Sequence, residues 1–259
     1  MKAFIFACCI ALLSACSSGP RIDRSIVSAN QDSRVQYVVL HYTSTDLEHS
    51  LALLTHGEVS SHYLIGETPA TIYQLVDENR RAWHAGESQW RGRTWLNSSS
   101  IGIELVNQGF TDTPEGRVWQ PYSEAQIAAL IVLLQDIVAR HQLPLGSIIG
   151  HSDIAPQRKT DPGPLFPWQR LAAAGLIPWP DSAEVARQRE VFARQLPEVL
   201  WFQQQLLALG YAVSQQGHLD QPTRNVLAAF QMKYRPTRFD GQPDAETAAL
   251  LMLLVGKQK

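Results

Sequence analysis

The chain has 259 residues, 45% hydrophobic, 18% charged and 8% aromatic, with 22 Lys and Arg against 24 Asp and Glu. This composition excludes disorder and collagen-like repeats, and a formal net charge of -2 offers no basic stripe for a nucleic-acid partner. The length admits one large domain or two unequal ones, either able to bury enough apolar surface to fold without staples.

Met1-Lys2 is followed by an almost unbroken apolar run from Ala3 to Leu13. The run is too short to span a bilayer and reads as a secretory signal. Leu13-Ser14-Ala15-Cys16 resembles a bacterial lipobox, so removal of residues 1–15 would leave Cys16 first, carrying palmitate-type acyl chains. Two or more such chains hold a protein stably on a membrane. Ser17, in place of Asp, resembles lipoproteins sorted to the outer membrane of a Gram-negative cell, which implies an anchored protein facing the periplasm. Cys8, Cys9 and Cys16 are the only cysteines, so no disulfide remains after processing.

Residues 16–34 are polar and aperiodic and read as lipidated N-terminus and tether. Val35 to Leu40 is a continuous apolar run, the pattern of a strand buried on both faces, and it ends at His41. Ser60 to Gly66 and Thr71 to Asp77 predict two further strands. In the next, Ile101 to Asn107, the residues Ile101, Ile103 and Leu105 point one way and Gly102, Glu104 and Val106 the other.

Ser123-Glu124-Ala125-Gln126 is a capping-box pattern opening an apolar-periodic helix to about Arg140. Ser147 to Gly150 then predicts a short strand that delivers His151. Strands alternating with helices indicate an α/β fold, a mixed central sheet flanked by helices, over residues 35–177, with active groups at strand ends. Trp168 to Gly175 predicts the last helix of this domain, and Pro178-Trp179-Pro180 opens a linker over 178–195. Residues 196–259 read as a small all-α domain of three helices, in which Gly-x-x-Asp-x-x-Thr occurs at Gly217, Asp220, Thr223 and again at Gly241, Asp244, Thr247. Each Asp is placed to cap a helix.

Of eight His residues, His41 and His151 lie at strand ends where a side chain can enter a cleft. His49, His56, His141 and His218 lie in polar or helical segments and are expected at the surface. In an extended loop after His151, Lys159 and Asp161 share a side and face whatever His151 faces. Two imidazoles and one carboxylate leave a fourth position open on a tetrahedral zinc, the arrangement of a catalytic site. There is no His-Glu-x-x-His helix, which disfavours a thermolysin-type peptidase.

The segments His41-Tyr42-Thr43, Ser61-His62-Tyr63-Leu64-Ile65, Ala82-Trp83-His84-Ala85-Gly86, Ile101 to Asn107 and Gly150 to Gly163 resemble, in order and spacing, the zinc-dependent N-acetylmuramoyl-L-alanine amidases of type 2. That family also includes peptidoglycan recognition proteins. Residues 196–259 are similar to the common peptidoglycan-binding three-helix domain. The resemblance implies that His41, His151 and Asp161 bind Zn2+, that Glu104 is the catalytic base, and that Lys159 stabilises the transition state. The animal recognition-protein amidases carry Cys where this chain has Asp161.

The implied reaction is hydrolysis of the amide between the lactyl group of N-acetylmuramic acid and L-alanine. The implied partners are peptidoglycan and muropeptides, with no obligate protein partner. The rival readings are a peptidoglycan receptor that binds without cleaving and a zinc peptidase of the stem peptide. Four residues are candidates for substrate contact: His62, at the metal or behind its ligands; Trp83, in the core or the groove; His84, lining the groove; and Asn107, on the stem peptide or in a turn. Trp90, Arg91, Arg93 and Trp95 form an aromatic and basic loop, either a grip for sugar and carboxylates or an exposed loop with a hydrophobic anchor.

Overall fold

The computed structural model describes residue 20 and residues 22–257. The segment expected as a signal peptide and Cys16, the expected lipidation site, lie outside the described residues. Residues 22–32 hold no helix or strand and fall in a separate compact unit from residues 33–259.

The larger unit begins with β1 (Tyr37–Tyr42), α1 (Leu47–His56), β2 (Tyr63–Ile65) and β3 (Ile72–Gln74). A two-stranded ribbon of β4 (Gln89–Trp90) and β5 (Arg93–Thr94) precedes β6 (Ser100–Leu105). A hairpin, β7 (Phe110–Thr113) and β8 (Gly116–Trp119), leads into α2 (Glu124–His141), β9 (Ile148–Gly150), α3 (His151–Ile154) and α4 (Trp168–Ala173). The five-stranded central sheet runs β3-β2-β6-β1-β9, with β3 antiparallel to β2 and the other pairings parallel. The sheet is therefore mixed, as expected.

Val38, Val39 and Leu40 are fully buried because β1 is covered on both faces. Val38, Leu40, Ile101, Ile103, Leu105 and Ile148 pack on Ile127, Leu130, Leu134 and Ile137 of α2. Val39 and Ile149 point the other way, into a cluster that also contains Phe202, Leu206, Tyr211, Phe230 and Leu251 of the helical region. One apolar core therefore runs from the second face of the sheet into the C-terminal helices.

Ser123 caps α2 as expected, its hydroxyl accepting the Gln126 N–H at 3.2 Å. The Gln126 side chain does not complete the box. It donates instead to the carbonyls of Ile65 and Val106, closing the ends of β2 and β6.

The three expected C-terminal helices are α6 (Val199–Leu209), α7 (Gln221–Tyr234) and α8 (Ala245–Gly256), and α5 (Ser182–Arg194) precedes them. The stretch expected as linker is thus largely helical. Asp181 caps α5, accepting the Glu184 N–H at 2.9 Å, and Val185 and Phe192 pack against the helical core. Asp220 and Asp244 cap α7 and α8 through the N–H groups of Thr223 and Thr247. The repeat has a further basis in two buried glutamines. Gln203 bonds Gly217 N, His218 O and Thr223 Oγ1, and Gln231 bonds Gly241 N, Gln242 O and Thr247 Oγ1 in the same way.

Candidate active site

β1 and β9 run in register from Val38 opposite Ile148 to Leu40 opposite Gly150, so His41 and His151 leave the sheet at one level. The expected extended loop after His151 is instead a helical turn, because the Asp153 carboxylate accepts the Gly150 N–H at 2.8 Å and His151 O accepts the Ala155 N–H at 3.0 Å. Asp161 returns to the same place by another route. Its carbonyl accepts the Ser152 N–H at 2.8 Å, while the hydroxyls of Tyr122 and Tyr42 hold Pro162 O and Thr160 Oγ1 on either side.

His41 Nδ1 and His151 Nδ1 lie 2.9 Å apart, and Asp161 Oδ2 is 3.1 and 3.0 Å from them. All three side chains are buried. Ligand atoms on one tetrahedral zinc lie about 3.3 Å apart, so these three already stand close to the spacing a bound ion demands. The cluster is the one group of this kind among the described residues.

The far sides of the rings fix their tautomers. His41 Nε2 is 3.0 Å from His84 Nδ1, and His84 Nε2 is 3.1 Å from Ser100 Oγ, whose own proton goes to Leu96 O at 2.7 Å. Ser100 must therefore accept from His84, and His84 from His41, which leaves His41 Nδ1 as a lone pair. His151 Nε2 donates to Ala85 O at 3.2 Å, exposing its Nδ1 in the same way. Asn97 Oδ1 accepts the N–H groups of His84 and Ala85 and holds that segment in place. Gly102 makes room for it, since a Cβ there would lie 2.4 Å from His84 Cγ.

Burial, and then the neighbouring His151, push His41 down to about 4, so its ring is neutral as a metal ligand requires. His84 too is held well below its ordinary value, chiefly by burial. Burial alone would raise Asp161, but the His151 and His41 rings outweigh it and hold the carboxyl well below the usual range. Glu104 behaves in the opposite sense. Burial, reinforced by the Asp161 charge, pushes it up to about 8, and its Oε2 has no hydrogen-bond partner among the described residues.

His41, Glu104, His151, Lys159 and Asp161 all line one cleft of about 510 Å³. Leu53, Val59 and the half-exposed Trp83 form an apolar wall, with the Arg81 guanidinium 4.0 Å from the Trp83 ring centroid. Arg117 and Arg158 join Lys159 as cations along the cleft. Arg158 also donates to Ala85 O and Glu87 O, tying the His151 loop to the segment that orients both imidazoles.

Two of the four candidate substrate contacts do not reach this cleft. His62 is fully buried behind it, where Nδ1 accepts the Gly102 N–H and Nε2 donates to Arg80 O. Asn107 is buried in a turn, donating to Gln120 O and Pro121 O and accepting the Gly109 N–H. Trp83 and His84 do line the cleft, although both ring nitrogens of His84 are engaged with His41 and Ser100. The loop at 90–95 is divided. Trp90 is buried edge-on against Tyr211 at 4.8 Å, and the Arg91 N–H bonds Gly210 O, so this part docks the helical region, whereas Trp95 is exposed. His141 is partly buried, bonding Glu78 at 2.7 Å rather than standing free at the surface.

Ser100, Asn97, Tyr42, Tyr122 and Arg158 were not singled out by the sequence. Their roles depend on partners from other segments that the fold brings together, and the sole local signal was their position in or near segments already marked.

Residues 31–164 match the family described as N-acetylmuramoyl-L-alanine amidase, and residues 195–251 match a putative peptidoglycan binding domain. The chain is similar to N-acetylmuramoyl-L-alanine amidase AmiD of Escherichia coli strain K12, 45% identical over 86% of this chain and 83% of that protein. It is also similar to 1,6-anhydro-N-acetylmuramyl-L-alanine amidase AmpD of Enterobacter cloacae, 42% identical over 47% of this chain and 60% of that protein. Among solved structures, the E. coli AmiD complex with anhydro-N-acetylmuramic acid-L-Ala-D-gamma-Glu-L-Lys superposes with a TM-score of 0.84 at 42% identity, covering 92% of this chain and 95% of the other. AmpDh3 from Pseudomonas aeruginosa in complex with anhydromuramic pentapeptide gives 0.85 at 39% identity, covering 92% and 98%. The chain belongs to the N-acetylmuramoyl-L-alanine amidase family.

Proposed function

We propose that this chain is a zinc-dependent amidase that hydrolyses the amide between the lactyl group of N-acetylmuramic acid and the L-alanine of peptidoglycan stem peptides. The observation that carries this reading is the convergence of His41 Nδ1, His151 Nδ1 and Asp161 Oδ2 in one cleft with the half-buried Glu104, whose Oε2 has no hydrogen-bond partner among the described residues. The muropeptides bound in the AmiD and AmpDh3 complexes support the substrate class.

Two neutral imidazoles and one carboxylate suit zinc, and the chemistry zinc supplies when bound is polarisation of the scissile carbonyl and acidification of a water to a pKa of roughly 7. Glu104 accepts a proton from the attacking water and returns it to the departing L-alanine nitrogen. The Lys159 ammonium lines the same cleft and would stabilise negative charge developing on the carbonyl oxygen. Trp83 and the apolar wall offer a face for the sugar, and Arg117 and Arg158 offer charge to carboxylates of the stem. Leu13-Ser14-Ala15-Cys16 supports the further reading that the mature chain is lipid-anchored through Cys16 at the outer membrane.

Mass analysis of products from a muramyl tripeptide tests the reaction. Free stem peptide beginning with L-alanine is expected, absent after chelation and with Glu104→Ala. Cuts between stem residues would mean a peptidase, and muropeptide binding without cleavage would mean a receptor.

A further inference from the structure

Asp153 lies two residues past His151 and is 1% exposed. A carboxylate so deeply buried persists only where its oxygens are bonded. One bond, from the Gly150 N–H, belongs to the turn that presents His151. The other two come from the C-terminal helical region, from Lys233 on α7 and from Tyr211 just past α6. Lys233 Nζ donates to Oδ2 at 2.8 Å, and Tyr211 OH donates to Oδ1 at 2.6 Å. Lys233 is itself 6% exposed, with its ammonium 4.2 Å from the centroid of the Trp168 ring.

A buried ion pair is a costly way to join two domains, because both charges lose their water and apolar residues of like volume often serve as well. A module that only tethered the enzyme to the wall would need no such pair, least of all one aimed at the turn holding a metal ligand. A second link nearby has the same direction. Gln157 donates to Pro222 O and accepts from Asn225 Nδ2, so the loop between His151 and Asp161 is held from the helical region at two points.

We infer that Lys233 and Tyr211 are positioning residues for the metal site, acting through Asp153 to fix the turn that presents His151. The helical region is thereby part of the catalytic unit rather than a separable accessory. This rests on the metal-dependent reading above and extends it to residues outside the family's amidase segment.

The test uses the full chain and measures zinc affinity by competition with a chromogenic chelator, without substrate. Lys233→Met is expected to weaken zinc binding roughly 10- to 100-fold. It also lowers kcat on a muropeptide with KM unchanged, and speeds amide exchange of residues 151–155 in the zinc-free protein. Tyr211→Phe moves each quantity the same way by less, and it decides the matter if Lys233→Met does not fold. Phe192→Ala, which loosens the same helical core where that ring meets Trp201, is expected to lower Tm and leave zinc affinity as it was. Wild-type affinity and exchange in both Lys233→Met and Tyr211→Phe would overturn the clamp, as would an equal loss of affinity in Phe192→Ala. A wild-type chain that takes up no zinc would overturn the metal reading itself, and the clamp's role with it.

Discussion

His41 and Glu104 are register partners on the adjacent parallel strands β1 and β6, so their side chains leave the same face of the sheet at one level. The ladder itself therefore sets the candidate base beside a candidate ligand, with no loop to adjust. Glu104→Ala should lower kcat roughly 10²- to 10⁴-fold, with the zinc content of the protein unchanged. Kinetics paired with metal analysis checks both. Loss of metal in the variant would make Glu104 a ligand rather than a base.

The same carboxyl makes a prediction about pH. Its folded value of about 8 lies above its ordinary 4.5, so between these values the folded metal-free protein holds a proton that the unfolded chain has released. Stability contributed by this group is then present at low pH and is lost as pH rises toward 8, at about 1.4 kcal/mol per unit of pKa shift. Glu104→Gln, which has no proton to lose, should become progressively more stable than the metal-free wild type from pH 5 to pH 8. Urea unfolding across that range measures the gap, and a constant gap would contradict the burial of an uncompensated carboxyl.

Lys159 lines the cleft beside Glu104. If its ammonium meets charge that appears only in the transition state, Lys159→Met should reduce kcat by roughly 10²- to 10³-fold and leave KM nearly unchanged. A rise in KM at constant kcat would place the residue in ground-state binding instead.

Ser100 is fully buried and does not line the cleft, yet it ends the chain of bonds that orients His41 through His84. Ser100→Ala removes the acceptor of the His84 N–H and should weaken zinc binding by roughly 10- to 100-fold. Competition titration reads this directly, and unchanged affinity would show that His84 holds its tautomer without help.

Much of this site was legible in the residues alone. The apolar run ending at His41 and the alternation through Ile101, Glu104 and Leu105 survive in the fold, since each is local pattern or strand-end placement, whereas the extended loop expected after His151 is a helical turn that brings Asp161 to His151 by another route. What escaped the sequence is non-local. His62 and Asn107 satisfy backbone groups behind the cleft, and such bonds leave no periodic trace. The α5 segment read as linker because Pro178-Trp179-Pro180 stands just before it; in the fold it has no fully buried residue, and only partly buried positions such as Val185 and Phe192 meet the core. The Asp153–Lys233 pair spans 80 residues, and neither partner's own neighbourhood points to the other.

The most direct test of the account is a zinc titration of chelated protein, with amide hydrolysis followed at each addition. Activity should be absent at the start and return in proportion to bound metal, reaching its plateau at about one zinc per chain. Asp161→Ala should recover none of it. Full hydrolysis by metal-free protein, or by Asp161→Ala, would contradict the assignment of His41, His151 and Asp161 as the metal site on which the chemistry depends.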